Sequence, residues 1–150
     1  MTQFFQFEAD FVDSLRCIPM QVRLKLDTCG VKLKLPHWHQ FTPEERQMLV
    51  SQPCETEPEV QAYRDLLRQL VQAHTGEFPS DLAIDPQPAW LDADHIPDTV
   101  QAKSQEVAVN LTPDQWANLS PLQRFALIKL SRSQHENKNF LPAIKEFQVI

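Results

Sequence analysis

Three cysteines and two closely spaced histidines, Cys17, Cys29, Cys54, His37 and His39, lie within the first 54 residues of a 150-residue chain. Thiolate sulfur and imidazole nitrogen are the ligands that hold zinc or an iron–sulfur cluster, and a thiolate can also carry redox chemistry. The spacing does not favour a metal centre. Cys-x11-Cys-x24-Cys lacks the close pair that anchors such a site. On a helix the imidazoles of His37-Trp38-His39 would diverge by roughly 200°. Cys29 falls on an apolar stripe with Ile18, Val22, Leu26 and Leu33, where a thiol serves as a small hydrophobe. The expectation is therefore buried structural thiols with no metal site and no cofactor. A small Cys-based metal or electron-transfer protein is the alternative.

Other reaction chemistry has no visible carrier. The chain has no GxGxxG, Walker loop, nucleophile elbow or HExxH, so no catalytic residue is nominated and an enzyme is not expected. With glycine only at positions 30 and 76, a glycine-lined phosphate cradle cannot be built. What remains is charge. Residues 16–43 carry Arg16, Arg23, Lys25, Lys32 and Lys34 against Asp27, a balance of +4. Residues 44–98 hold twelve acids against Arg46, Arg64 and Arg68, a balance of −9. Arg16, Arg23, Lys25 and Lys32 thus define a basic face that could meet an acidic partner surface, or hold an anion beside a helix N-terminus. The overall charge of −6 and pI near 5.3 argue against nucleic-acid binding, which needs clustered Lys and Arg. No apolar run reaches the ~18–20 residues that span a bilayer. The start, MTQFFQFEADF, is not a secretory signal, and an odd number of loosely spaced thiols fits a reducing compartment. A cytoplasmic location, away from membranes, is expected.

The elements that position these side chains read as helices. Scarce glycine disfavours a turn-rich β-protein. Thr42-Pro43, Thr112-Pro113 and Ser120-Pro121 each place a capping hydroxyl before a proline, a helix-start signature. Helices are predicted over 43–52, 58–74, 97–110, 121–133 and 138–148, with Phe4, Phe7, Phe11 and Leu15 on a short packing helix near the N-terminus. The stretch VRLKLDTCGVKLKL at 22–35 is ambiguous, because its alternation suits a hairpin and its 3–4 spacing suits a helix.

An internal repeat argues for the helix. Shifting the chain by 78 residues aligns 18–50 with 96–128 and gives ten identities in 33 positions, where roughly two are expected from residue usage. Among them are Pro19/Pro97, Lys25/Lys103, Trp38/Trp116 and Arg46/Arg124. The second copy of the ambiguous stretch, VQAKSQEVAVNL, has no turn chemistry, so a helix over 19–33 is expected, with Gly30 tolerated or kinking it. Residues shared by both copies are expected to be scaffold, with Arg46 and Arg124 stacking on the tryptophans or capping carbonyls. Cys17, Cys29, Cys54, His37 and His39 are peculiar to one copy, facing His95, Val107, Arg132, Gln115 and Ala117.

The predicted fold is all-α: one compact helical domain spanning 1–150, built from two similar three-helix units offset by 78 residues. The first unit would cover 17–75 and the second 96–150. They are joined by a Pro/Asp-rich strap at 76–95 whose length marks it as a candidate docking element.

The segments LRCIPM, VRLKLDTCGVKL, Pro53-Cys54 and QRFALIKLSRSQHENKNF make the chain resemble the nitrate-reductase-associated proteins of cyanobacteria over nearly its whole length. Arg16, Cys17, Arg23, Lys25, Asp27, Cys29 and Cys54 lie inside the matching motifs; His37 and His39 do not. The resemblance implies a small accessory or maturation factor whose partner is assimilatory nitrate reductase, a molybdenum and iron–sulfur enzyme. It also implies possible contact with a molybdopterin-type cofactor in transit. A constitutive reductase subunit is the competing reading, and the resemblance supplies no catalytic or ligand residues.

Overall fold

Thr42, Thr112 and Ser120 do what a hydroxyl before proline predicts. Each accepts the backbone N–H three residues on, from Glu45, Gln115 and Gln123, and each of those side chains returns the bond to the capping residue's N–H. The computed structural model describes residues 5–8, 18–132 and 139–147. It is mostly helical: α1 Met20–Cys29, α2 Leu35–Gln40, α3 Pro43–Ser51, α4 Glu57–Thr75, α5 Asp98–Glu106, α6 Pro113–Ala117, α7 Pro121–Arg132 and α8 Phe140–Glu146. Short 3-10 turns occur at Gln6–Glu8 and Ala89–Leu91. Phe4, Phe11 and Leu15, expected on an N-terminal helix, lie outside the described residues, and Phe7 sits in the first of these turns.

The chain divides into two units. Glu8–Asp85 falls in one, and Phe5–Phe7 with Pro86–Ile150 in the other. In the first, α1 packs on α4 and buries Val22, Leu26, Cys29, Tyr63 and Leu67; of the expected stripe, Ile18 is buried just before the helix and Leu33, beyond its end, is half-buried. Its helix start lacks a local side-chain cap, because Pro19 has none to offer. The buried carboxylate of Glu8 accepts the Met20 N–H at 2.8 Å instead. In the second unit, α7 packs against α5, α8 and the Ala89–Leu91 turn around Val100, Trp116, Phe125, Leu130 and Ile144.

Two predicted helices end early, for one reason. Gly30 (φ 75°) and Ala108 (φ 60°) occupy aligned positions in the repeat, and both adopt the left-handed conformation that stops a helix. Consequently α1 stops at Cys29 rather than 33, and α5 at Glu106 rather than 110. The all-α expectation holds, with one short ladder added at the same point. Val31–Lys32 (β1) leaves Gly30 extended and pairs antiparallel with Ser80–Asp81 (β2), matching Val31 to Asp81 and Lys32 to Ser80. This ladder joins the strap to the first unit; it is not the hairpin that the alternation of 22–35 suggested. Trp38 and Trp116 lie on the short helices α2 and α6.

Matching geometry recurs through the repeated stretch of each unit. Trp38 and Trp116 are fully buried. Arg46 donates to the carbonyls of Trp38 and His39 at 3.0 and 2.9 Å. Arg124 donates to those of Trp116 and Ala117 at 3.1 and 3.0 Å. Of the two expected roles, carbonyl capping is the one these bonds make.

The two left-handed residues differ in surroundings. A Cβ on Gly30 would lie 2.7 Å from Ile84 Cγ1 and 2.9 Å from the Leu82 carbonyl oxygen, whereas Ala108 already carries one. Gly30→Ala is expected to lower unfolding stability by about 1–3 kcal/mol, from backbone strain plus displacement of the strap. Ala108→Gly, which relieves its own strain at some cost in chain entropy, is expected to leave stability within about 1 kcal/mol of the parent. Urea denaturation of the two variants checks the contrast.

Candidate functional site

The basic face predicted on the first helix is built differently from the way its spacing suggests. Lys25 does not display its ammonium. Its Nζ donates to the carbonyls of Val50 at 2.8 Å and Gln52 at 2.6 Å, lies 3.5 Å from that of Leu49, and stands 5.5 Å over the Tyr63 ring. These are carbonyls at the C-terminal end of α3, which the helix leaves unpaired and a cation satisfies. The Tyr63 hydroxyl closes the same end by donating to Leu49 O at 2.8 Å. Burial lowers the Lys25 pKa and raises that of Tyr63 well above its ordinary value.

Arg23 is half-exposed, and its Nε donates to Ile18 O at 3.0 Å. Lys32 lies exposed on β1. Arg16 and Cys17 lie outside the described residues.

The thiols sit around the Lys25 clamp. Cys29 is buried in the core, and its Sγ is 3.8 Å from Leu26 O. Cys54 Sγ reaches Lys25 O at 3.8 Å. Both are free thiols. Burial pushes their pKa values up, to about 11 for Cys29 and about 12 for Cys54. At neutral pH both are protonated, hence poor nucleophiles and poor metal ligands. His37 accepts the Lys34 N–H on Nδ1 at 3.3 Å; its pKa is lowered by burial and then by Lys34. The main chain of His39 receives Arg46. Among the described residues, no group of three or more His, Cys, Asp or Glu side chains could hold a metal ion.

Arg64 carries no mark in the spacing of the residues around it. Its Nη1 donates to the Cys29 and Gly30 carbonyls at 3.1 and 3.0 Å, and its Nη2 pairs with Asp81 at 2.6 Å. Arg68, one turn on, lies 3.9 Å from the same carboxylate and stacks over Phe78 at 4.8 Å. The i, i+4 arginines on α4 and the acid in the strap were visible signals; their convergence needed the ladder. Arg64, and then Arg68, hold the Asp81 pKa below its ordinary value. The candidate site is therefore the exposed surface around β1 and the strap, over a clamp of buried polar groups.

The profile of the family described as "Conserved nitrate reductase-associated protein" matches residues 4–147. The chain belongs to that family. Membership supports an accessory role associated with nitrate reductase. No curated protein and no solved structure matches the chain. In this family member, no described helix is long and apolar enough to cross a membrane.

Two outcomes test the clamp. Lys25→Met keeps the stem but leaves the Val50 and Gln52 carbonyls without their donor, and is expected to cost about 1–3 kcal/mol in thermal or urea unfolding. Iodoacetamide at neutral pH, followed by peptide mapping, is expected to spare Cys29 and Cys54 in folded protein and to modify both in urea.

Proposed function

We propose that this protein is a non-catalytic cytoplasmic factor that binds nitrate reductase and assists its maturation, holding no cofactor of its own. The step it serves is insertion of the molybdenum cofactor into the enzyme. Family membership across residues 4–147 is the observation that carries this reading. The protonated, buried state of Cys29 and Cys54 supports a binding role over electron transfer.

Contact with the reductase uses Arg23 and Lys32, with Arg16 from the same sequence motif. These side chains suit an acidic protein surface or the phosphate of a pterin cofactor in transit. Lys25 contributes indirectly, by fixing α1 against α3. The duplication of a helical unit belongs to this reading as well, supported by the paired Trp–Arg bonds and the paired left-handed residues.

Reconstitution is the test. Adding the protein to inactive, cofactor-free reductase together with molybdenum cofactor is expected to raise the recovered turnover, and the factor is expected to leave the mature enzyme. Stable retention at constant stoichiometry would identify a subunit instead. The complex with immature enzyme should weaken with salt, and about tenfold in Arg23→Glu/Lys32→Glu, as loss of steering and charge pairing requires. Equal binding by that variant would remove this face from the interface.

A further inference from the structure

Phe5–Phe7 reaches the second unit as a separate piece of chain. That unit is otherwise the continuous stretch Pro86–Ile150, and Glu8–Asp85 belongs to the first. Only non-covalent contacts therefore hold these three residues to it, and they read main chain and rings. One carboxylate oxygen, Glu146 Oε1 at the end of α8, accepts the Gln6 N–H at 2.7 Å and the Phe7 N–H at 3.3 Å. Consecutive N–H groups closing on one anion form a nest, and the charge of the acceptor strengthens both bonds. The Phe5 ring lies 4.9 Å from that of Phe147, just past the same helix, and 5.3 Å from that of Phe7. Phe7 meets Phe147 edge-on at 6.4 Å. Phe5 is buried and Phe7 half-buried, whereas Gln6 between them is exposed. Recognition thus falls on two aromatic positions and the main chain, and the middle residue is not read. The receiving surface is fixed beforehand, because Ala143 and Ile144 are buried and α8 packs on α7. Beside the seated segment an open groove of about 490 Å³, lined by Gln6, Phe7, Leu141, Pro142, Lys145 and Glu146, leaves room for a longer contact.

We propose that the C-terminal end of α8 is a peptide-recognition site for aromatic-x-aromatic segments, with Phe5-Gln6-Phe7 as its internal occupant and a segment of the same chemistry on a partner protein as the competitor. The site is autoinhibited: tethering gives the internal segment a high effective concentration, which holds a competing segment off until Phe5–Phe7 leaves. It uses residues of the other unit from Arg23 and Lys32, and does not rest on the association proposed above.

The test is a calorimetric titration of the full chain with a synthetic peptide of residues 2–8, TQFFQFE. Phe5→Ser/Phe7→Ser in the protein vacates the ring positions and is expected to lower the melting temperature. This variant is expected to bind the peptide at least about tenfold more tightly than the parent protein does, and to regain melting temperature as peptide is added. The same peptide carrying Phe5→Ser and Phe7→Ser is expected not to bind. Adding Glu146→Gln to the double-serine protein is expected to weaken peptide binding several-fold, since a neutral amide loses the charge assistance. Phe7→Ser alone, at a half-buried position, serves if the double variant does not fold, with a smaller gain in affinity expected. A folded variant that takes no peptide, equal affinity in parent and variant, equal binding of the serine peptide, or indifference to Glu146→Gln would each overturn the site.

Discussion

Main-chain carbonyls left unpaired at helix ends are the constraint that organises the cations of this protein. Lys25 closes α3, Arg46 closes α2, Arg64 closes α1, and Arg124 closes α6 while also reaching Trp90 O in the second unit. Each helix involved is short, so four orphan carbonyls are a large fraction of its hydrogen-bonding capacity. A long side chain carrying a positive charge satisfies two or three of them at once and opposes the negative end of the helix dipole. The same economy appears at the other pole, where Glu8 serves α1 in place of the side chain that Pro19 lacks.

That constraint explains which parts of the fold could be read from residues alone. The helix starts were legible because a hydroxyl, a proline and a glutamate or glutamine three residues later form a local signal. The buried stripe of α1 was legible because periodicity reports burial directly. The end of α5 was not, since at Ala108 the terminating conformation falls on a residue that carries no sequence mark of it; α1 does carry the mark, Gly30, but its alignment with Ala108 hides the stop. Nor was the β1–β2 ladder, which pairs two-residue strands separated by a long helical interval and has no period to detect.

Charge was the least transparent property. Counting Lys and Arg over 16–43 correctly found an excess, but the tally does not separate a solvated ammonium from one folded back onto carbonyls. Lys25 and Lys32 are equivalent in such a count and opposite in the structure: one is turned into the clamp around Tyr63, and the other stands in water. The repeat offered a partial remedy. Arg46 and Arg124, shared between copies, were read as scaffold, and their bonds to the tryptophan carbonyls agree. Arg64 lies beyond the aligned residues, so that control did not reach it.

The buried serine of α5 bears on how the two units differ in cohesion. Ser104 stands where the first copy has Leu26, and its hydroxyl is the one buried side-chain polar atom without a partner among the described residues. An unsatisfied hydroxyl in place of a packed isobutyl group gives α5 weaker internal cohesion than α1. Local opening would then be distributed unevenly, with α5 exchanging its amide hydrogens sooner than α1 and yielding first under mild denaturing stress.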